Sequence, residues 1–190
     1  MKRPAVFIDR DGTINEQMGY INHISRFVLL PGTAEAIRLL NRHQYFVIII
    51  SNQSGVARGY FPIELVHRVH EHMTEVLSNE GARVDAIFFC PHYAGGIIRE
   101  YSVRCNCRKP GTGLIEMARE SFDIDMAKSC VVGDRYSDIE LALRLNLEGV
   151  LVTTGYGLGD MEYVFPRLPF KPSHVAADLL QAVRWIIERP

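Results

Sequence analysis

Two aspartates at the end of a short apolar segment have the type and spacing that most directly suggest chemistry. Residues 6–8 are apolar and lead into Asp9, Arg10, Asp11 and Gly12. Side chains two residues apart share one face of a strand, so the carboxylates of Asp9 and Asp11 are expected to point into the same space. Such a pair is either neutralised by a cation such as Mg²⁺ or split into one ionised and one protonable group. Both arrangements suit phosphoryl transfer, in which one aspartate attacks phosphorus and the other protonates the leaving oxygen.

The same residues also fit an ordinary polar turn, and this segment alone does not separate the two interpretations. Later apolar segments, however, are followed by polar groups as well. Ligands in open α/β sheets gather at the carboxyl ends of the strands, so we expect these groups to meet at one edge of a sheet. The groups are Ser51, Asn52, Gln53, Ser54 and Gly55 after one segment, and Asp134, Arg135 and Asp138 after another.

Three of the four cysteines cluster with one histidine in a second pattern. Cys90 and His92 are separated by one residue and are followed, after twelve intervening residues, by Cys105 and Cys107. Three thiolates and one imidazole suit a four-coordinate structural zinc, which leaves no open position for a catalytic water. The alternative is a buried Cys90 at a strand end with His92 on a surface loop. We predict a zinc-binding loop over residues 90–107, in which the metal fixes the ends of an irregular segment.

Apolar segments along the chain predict the scaffold for these groups. They cover residues 6–8, 46–50, 86–89, 130–132 and 150–152. Predicted helices cover about residues 34–42, 62–79, 113–121, 137–146 and 176–188. Segments that are apolar on both faces favour a mainly parallel sheet between layers of helices. We therefore predict a single α/β domain over residues 1–190, with no large cap domain and an open cleft.

Composition restricts the classes of partner. The 190 residues are 47% hydrophobic and 23% charged, which is enough for one buried core, and the formal net charge is −1. A near-neutral chain has no long-range attraction to nucleic acid. No segment has the length of a signal peptide or of a bilayer span. We expect a cytoplasmic monomer that binds a small molecule, with no nucleic-acid or membrane partner.

Four motifs in this order resemble the haloacid dehalogenase (HAD) superfamily of phosphatases. They are Asp-Arg-Asp-Gly-Thr at 9–13, Ser-Asn-Gln-Ser-Gly at 51–55, Lys109, and Gly-Asp-Arg-Tyr-Ser-Asp at 133–138. With the cysteine and histidine loop and Cys-Arg-Lys-Pro at 107–110, the chain is similar to the histidinol-phosphatase-like subfamily over about residues 6–185. The resemblance implies a HAD-like Rossmannoid three-layer sandwich with a catalytic Mg²⁺ and a structural Zn²⁺.

The resemblance also implies a role for each site residue. Asp9 is the expected nucleophile, Asp11 the general acid and then base, and Ser51 and Lys109 stabilise the phosphoryl group. The expected Mg²⁺ ligands are Asp9, the backbone carbonyl of Asp11, and Asp134. Asp138 braces Asp134 or Lys109, or alternatively only begins a helix. The implied Zn²⁺ ligands are Cys90, His92, Cys105 and Cys107, and the implied substrate-binding residues are Gln17, Met18, Gly19, Tyr20, Ser51, Asn52, Gln53, Ser54, Arg108, Lys109 and Arg135.

The subfamily resemblance implies removal of the 7-phosphate of D-glycero-D-manno-heptose 1,7-bisphosphate through an aspartyl-phosphate. That reaction serves ADP- or GDP-heptose precursor synthesis for lipopolysaccharide core or S-layer glycan, and both anomers remain alternatives. Several basic residues near the site, including Arg108 and Arg135, favour a bisphosphate. Arg58 could join them, but a solvated loop residue is the simpler interpretation.

Two other functions remain alternatives. Histidinol phosphate carries a cationic amine, which would favour acidic neighbours over Arg108 and Lys109. A non-enzymatic phospho-receiver or zinc-stapled binding module could use the same sheet, although Asp11 lies where it would accelerate hydrolysis of a phosphorylated Asp9. We expect His67, His70 and His72 to be solvated on a surface helix, and Cys130 to be a small core residue.

Overall fold

Six parallel strands form the central sheet of the protein. Its structure is a computed structural model, which describes residues 2–189. The strands are β1 (Ala5–Ile8), β2 (Phe46–Asn52), β3 (Ala86–Cys90), β4 (Cys130–Gly133), β5 (Glu148–Val152) and β6 (His174–Ala176). The sheet order is β3-β2-β1-β4-β5-β6. This order reverses direction between β1 and β4, and a crevice therefore opens at the carboxyl ends of these two neighbours.

Helices cover both faces of the sheet. They are α1 (Thr33–Arg42), α2 (Ile63–Asn79), α3 (Gly113–Ser121), α4 (Tyr136–Arg144), the single turn α5 (Gly157–Gly159) and α6 (Leu179–Glu188). Core residues of α1, α2 and α6 pack on one face, and those of α3 and α4 pack on the other. Successive strand residues face opposite sides, so Val6 and Ile8 join the first core while Ala5 and Phe7 join the second. The predicted three-layer α/β sandwich is confirmed.

The predicted last helix, 176–188, was wrong at its start. A sixth strand, His174–Ala176, occupies this position, and α6 begins only at Leu179. The carboxylate of Asp178 accepts a hydrogen bond from the backbone N–H of Gln181 at 2.8 Å and so caps the first turn. A strand of three residues is too short to show a periodicity of its own, which explains the error.

The connections between strands add no further sheet within residues 2–189, in agreement with the prediction of no large cap domain. None of the helices in this range is both long and apolar enough to span a membrane. Cys130 is fully buried in β4, as predicted, and burial raises the pKa of its thiol to about 12. This thiol therefore behaves as a small apolar group.

Candidate active site

The carboxyl ends of β1, β2 and β4 meet at a cavity of about 740 Å³. Residues that the sequence placed in five separate segments line it together. Their convergence follows from the parallel arrangement, which brings all strand ends to one edge. The predicted residues that line the cavity are Asp9, Asp11, Gln17, Gly19, Tyr20, Ser51, Asn52, Ser54, Arg108, Lys109, Asp134 and Arg135.

Lys109 forms the centre of an acidic cluster. Its Nζ lies 2.7 Å from one oxygen of Asp9 and 2.7 Å from one oxygen of Asp138, and it donates to the carbonyl of Ile50 at 3.0 Å. Burial alone would lower the pKa of Lys109, but Asp138 and Asp9 raise it above its usual value. The lysine is therefore a permanent cation. Asp138 also accepts from the backbone N–H of Arg135 at 3.1 Å, so it braces Lys109 and caps the start of α4.

The acidic cluster has the properties of a site for a hard cation. Carboxylate oxygens of Asp9, Asp134 and Asp138 lie within 4.8 Å of one another. One oxygen of Asp134 accepts from the backbone N–H of Tyr156 at 2.8 Å, whereas its buried Oδ1 accepts no hydrogen bond from any residue in the range 2–189. Burial and the neighbouring carboxylates raise the pKa of Asp134 to about 8. Oxygen donors with an excess of negative charge fit a divalent cation such as Mg²⁺.

Asp9 occupies the end of β1, where its backbone N–H donates to the carbonyl of Val132 at 2.9 Å and continues the β1–β4 ladder. Burial raises the pKa of Asp9 to about 6, even though Lys109 opposes this shift. The ladder and the ion pair to Lys109 together fix the carboxylate at the cavity floor. It is therefore held in one place, as in-line attack on a phosphorus atom requires.

The turn that follows Asp11 leaves space for the Asp134 carboxylate. Gly12 has φ +89°, and a Cβ at this position would overlap Asp134. Gly155, in the turn that follows β5, also lies against Asp134, and a Cβ at this position would overlap the carboxylate in the same way. Thr154 Oγ1 donates to the carbonyl of Gly12 at 2.6 Å and ties the two turns together. Thr154 and Gly155 are not evident as site residues from the sequence, because no local pattern connects them with Gly12, 142 or more positions earlier.

Asp11 is surrounded by its own set of donors. Arg10 Nη2 donates to both carboxylate oxygens at 2.9 and 2.8 Å, Asn15 donates at 3.0 Å and Gln53 at 2.7 Å. Burial would raise the pKa of Asp11, but the Arg10 charge and these hydrogen bonds lower it. The Asp11 carboxylate is not part of the acidic cluster formed by the described residues. A metal contact from Asp11 would therefore come from its backbone carbonyl, which Gln17 Nε2 approaches at 3.4 Å.

Ser51 and Asn52 end strand β2 and have different contacts. Ser51 Oγ accepts from Gln53 Nε2 at 2.7 Å and lines the cavity. The Asn52 side chain forms two hydrogen bonds with the backbone of Lys109. Its Nδ2 donates to the Lys109 carbonyl at 3.1 Å, and its Oδ1 accepts from the Lys109 N–H at 3.0 Å. Asn52 was predicted only as a substrate-binding residue, yet in the structure it also positions the lysine.

The cysteine and histidine set converges as the spacing predicted. Cys107 Sγ lies 3.0 Å from Cys90 Sγ and 3.2 Å from Cys105 Sγ, and His92 Nδ1 lies 3.2 Å from Cys107 Sγ. All four cysteines of the chain are free thiols. Three thiol sulfurs and one ring nitrogen within 4.8 Å of one another form a donor set suited to tetrahedral zinc.

Two predicted substrate-binding residues do not line the cavity. Met18 packs against the hydrophobic core, and Gln53 is buried behind the cavity wall, where it contacts Ser51 and Asp11. Arg104 lines the cavity although it was not predicted. It belongs to the predicted zinc-binding loop, which leads directly into Arg108 and Lys109, and this proximity was the available signal. The other lining residues, none of which was predicted to bind substrate, are Tyr93, Ala94, Val103, Cys105, Pro110, Tyr136, Ser137 and Tyr156.

The basic residues around the cavity differ in how firmly they are held. Arg135 Nε donates to buried Asp160 at 3.1 Å, and its guanidinium lies 4.6 Å from the ring of Tyr156. Arg108 Nη1 donates to the carbonyl of His92 at 3.4 Å. The guanidinium of Arg58 lies over the ring of Tyr93 at 3.8 Å and is absent from the residues that line the cavity within 2–189.

The prediction that His70 is a solvated residue was wrong. The side chain is buried, and its Nε2 lies 3.0 Å from Arg10 Nη1. α2 packs the face that carries Val66, Val69 and Met73 on the sheet, and His70 belongs to this face. His67, three residues earlier, is exposed as predicted.

The chain is similar to known proteins over its whole length. A family described as HAD-hydrolase-like matches residues 106–182. The D-glycero-D-manno-heptose-1,7-bisphosphate 7-phosphatase of Thermosynechococcus vestitus is 41% identical over 190 residues, covering 98% of this chain and 96% of the relative. The D-glycero-beta-D-manno-heptose-1,7-bisphosphate 7-phosphatase of Escherichia coli K12 is 39% identical over 153 residues, 80% of each chain.

A solved structure agrees with the sequence relatives. The D,D-heptose 1,7-bisphosphate phosphatase from B. bronchiseptica, complexed with magnesium and phosphate, superposes with a TM-score of 0.85 and 31% sequence identity. The superposition covers 99% of both chains. The fold and its connections are therefore shared over almost the entire chain.

Proposed function

This chain belongs to the family of D-glycero-D-manno-heptose-1,7-bisphosphate 7-phosphatases, and on that premise we propose that it releases the phosphate from carbon 7 of that sugar bisphosphate. The observation that carries the proposal is the position of Lys109, which contacts both Asp9 and Asp138 at the floor of a cavity that Ser51 and Asp11 also line. A nucleophile, a phosphoryl-stabilising cation and a second carboxylate are thus within one cavity.

The chemistry follows from these residues. Asp9 attacks the 7-phosphorus in line, so that a carboxylate oxygen to phosphorus bond forms while the bond to the sugar oxygen breaks. Asp11 must carry a proton at the start of the cycle, although the Arg10 charge lowers its pKa, and it donates this proton to that leaving oxygen. Asp11 then accepts a proton from the water that attacks the aspartyl-phosphate, which releases inorganic phosphate and restores Asp9. Ser51 and Lys109 stabilise the negative oxygens of the transferring group.

We propose that Asp9, Asp134 and the backbone carbonyl of Asp11 hold Mg²⁺. Asp138 is already paired with Lys109, which leaves the buried Oδ1 of Asp134 as the free donor of the cluster. A relative of similar fold is complexed with magnesium and phosphate. When bound, the cation supplies positive charge that offsets the carboxylates and the phosphoryl oxygens.

We propose that Cys90, His92, Cys105 and Cys107 bind a structural Zn²⁺. The support is the convergence of four donors from two segments of one loop. Arg108 and Lys109 follow the last ligand directly, so the metal would fix the start of the catalytic segment. Metal analysis of the purified protein is expected to give one zinc per chain.

The remaining cations favour a substrate with two phosphates. Arg104, Arg108 and Arg135 line the cavity in addition to Lys109. A second phosphate can accept hydrogen bonds from guanidinium groups, whereas the ammonium group of histidinol phosphate would be repelled by them. Histidinol phosphate is therefore the second candidate substrate.

The test is phosphate release by the Mg²⁺-supplemented protein on both anomers of heptose 1,7-bisphosphate and on histidinol phosphate. We expect the highest kcat/KM on one heptose anomer, and the preferred anomer then indicates which nucleotide-activated heptose the product supplies. Asp9→Asn is the matched control, because the amide has nearly the same shape but cannot act as the nucleophile. Normal turnover by Asp9→Asn, or preference for histidinol phosphate, would contradict the proposal.

We propose that the protein acts as a single-domain monomer over residues 1–190, because the strand ends of one sheet and the connections that follow them form the site within one chain. The three thiol ligands of the zinc site favour a reducing, cytoplasmic location. Light scattering after size-exclusion chromatography tests the first statement, and fractionation of cells that express the protein tests the second.

A further inference from the structure

Arg10 is a buried guanidinium that joins the Asp11 carboxylate to a helix on the face of the sheet. Only 1% of Arg10 is exposed. Its Nη2 donates to both oxygens of Asp11, and its Nη1 lies 3.0 Å from Nε2 of His70 on α2. His70 does not line the cavity, and neither motif resemblance nor spacing assigns it a role.

The hydrogen-bond direction in this network is determined by chemistry. Arginine carries only donors, so Nε2 of His70 must accept, and the proton of a neutral ring is then on Nδ1. Burial and the charge of Arg10 lower the pKa of His70 to about 3, so the imidazole is neutral near pH 7. A neutral acceptor at this position satisfies a guanidinium N–H without neutralising the charge that Arg10 directs to Asp11.

The network has one end in the cavity. The Asp11 side chain is 20% exposed and lines the cavity, while the Arg10 side chain behind it is 2% exposed. The backbone carbonyl of Arg10 accepts from the N–H groups of Ile14 and Asn15 at 2.8 and 3.2 Å, so the backbone of Arg10 is fixed by the turn. The guanidinium is at the end of a long flexible side chain, and His70 is its second anchor.

We propose that His70 is a positioning residue for proton transfer: it fixes Arg10, and Arg10 in turn holds the Asp11 carboxylate where it exchanges a proton with the leaving oxygen. This inference rests on the proposed role of Asp11. His70, on α2, would not touch the substrate itself; it would act through the side chains of Arg10 and Asp11.

The competing explanation is that His70 only fills space. Its ring packs edge-on against Phe89 at a centroid distance of 5.3 Å, so any substitution also changes the core. A packing defect would lower turnover of every substrate by the same factor. A proton-transfer defect depends on the leaving group, because a leaving group that departs readily as an anion needs no general acid.

The experiment compares kcat/KM for heptose 1,7-bisphosphate, which has a poor alkoxide leaving group, with kcat/KM for p-nitrophenyl phosphate. kcat/KM includes steps only up to the first irreversible one, here phosphoryl transfer to Asp9. His70→Gln retains an acceptor of similar reach, His70→Leu removes it, and His67→Leu makes the same change at an exposed residue of the same helix. Thermal unfolding of each variant reports on folding.

We expect His70→Leu to lower kcat/KM on the sugar bisphosphate on the order of tenfold to 100-fold through kcat, with little change on p-nitrophenyl phosphate. His70→Gln is expected to restore most of the loss, and His67→Leu to resemble wild type. An equal loss on both substrates, a loss confined to KM, or failure of His70→Gln to recover activity would overturn the inference. Failure of the proposed function would instead appear as wild-type protein without Asp9-dependent turnover of either substrate.

Discussion

Replacement of Lys109 by methionine tests the electrostatics of the site most directly. Methionine has similar length but no charge, and the lysine side chain is 2% exposed. Its Nζ lies 2.7 Å from both Asp9 and Asp138. Removal of this cation leaves two buried carboxylates without their ion-pair partner, in addition to Asp134 nearby. We expect the variant to lose activity and to be less stable than wild type in the absence of metal.

The magnitude follows from the burial of the pair. Loss of one partner of a buried ion pair costs about 3–5 kcal/mol, because the remaining charge stays desolvated. In a protein of this size, 1 kcal/mol shifts the unfolding midpoint by about 2–4 °C. The expected decrease in Tm is therefore roughly 6–20 °C. Added Mg²⁺ is expected to recover part of it, since binding to the folded state replaces some of the missing positive charge.

The assay is urea unfolding of a double-mutant cycle with and without a chelator. Asp138→Asn removes one of the two carboxylates, so the double variant with Lys109→Met is expected to be more stable than the sum of the single effects predicts, by about 1–3 kcal/mol. Arg144→Met is the matched control, because its ion pair with Glu140 is solvent-exposed and worth less than about 1 kcal/mol. Additive effects of the two substitutions, or wild-type stability of Lys109→Met in chelator, would refute this account.

Three further predictions follow from individual contacts. Gly12→Ala places a Cβ against the Asp134 carboxylate at a backbone φ of +89°, so we expect loss of Mg²⁺-dependent stabilisation in thermal-shift titrations and loss of turnover. Cys105→Ser removes one proposed zinc ligand, and metal analysis is expected to show less than one zinc per chain together with a reduced kcat. The folded protein holds His70 neutral with a pKa of about 3 against an ordinary 6.5, so the unfolded chain binds more protons between these values. The free energy of unfolding therefore falls as pH drops from about 6.5 towards 3, with a contribution of up to about 1.4 kcal/mol per pH unit that His70→Gln removes.

Each of these predictions has a matched control. Gly19 is also a glycine with positive φ that lines the cavity, but a Cβ there would meet no atom within 4 Å. Stabilisation of the folded protein by Mg²⁺ is therefore expected to persist in Gly19→Ala. Cys130→Ser changes a cysteine outside the zinc set and leaves zinc content unchanged. For the pH series, His67→Gln is expected to have the wild-type slope. If a variant and its control gave the same result in the same assay, the effect predicted for the corresponding contact would be wrong.

The sequence predicted the main features of the fold because they depend on local patterns. Five of the six strands and all the long helices produced apolar segments or helical periodicity of their own. Asp9, Asp11 and Asp134 were assigned to the ends of β1 and β4, because a polar residue directly after a buried strand is at the sheet edge in any parallel arrangement. The four proposed zinc ligands were also visible in the sequence, since they lie in two close pairs. Strand β6, with three residues, had too little pattern to be found.

The particular contacts of the site were decided by tertiary structure. Whether Asp138 braces a lysine, whether Asn52 contacts substrate or the Lys109 backbone, and whether His70 faces solvent depend on sheet order and on the rotation of each helix about its axis. Those quantities come from the packing of segments that are distant in the chain, and no short window of sequence contains them. The residue types available for chemistry were thus determined by the sequence itself, whereas the pairing of Arg10 with His70 and of Lys109 with Asp138 required the folded core that brings them within hydrogen-bond distance.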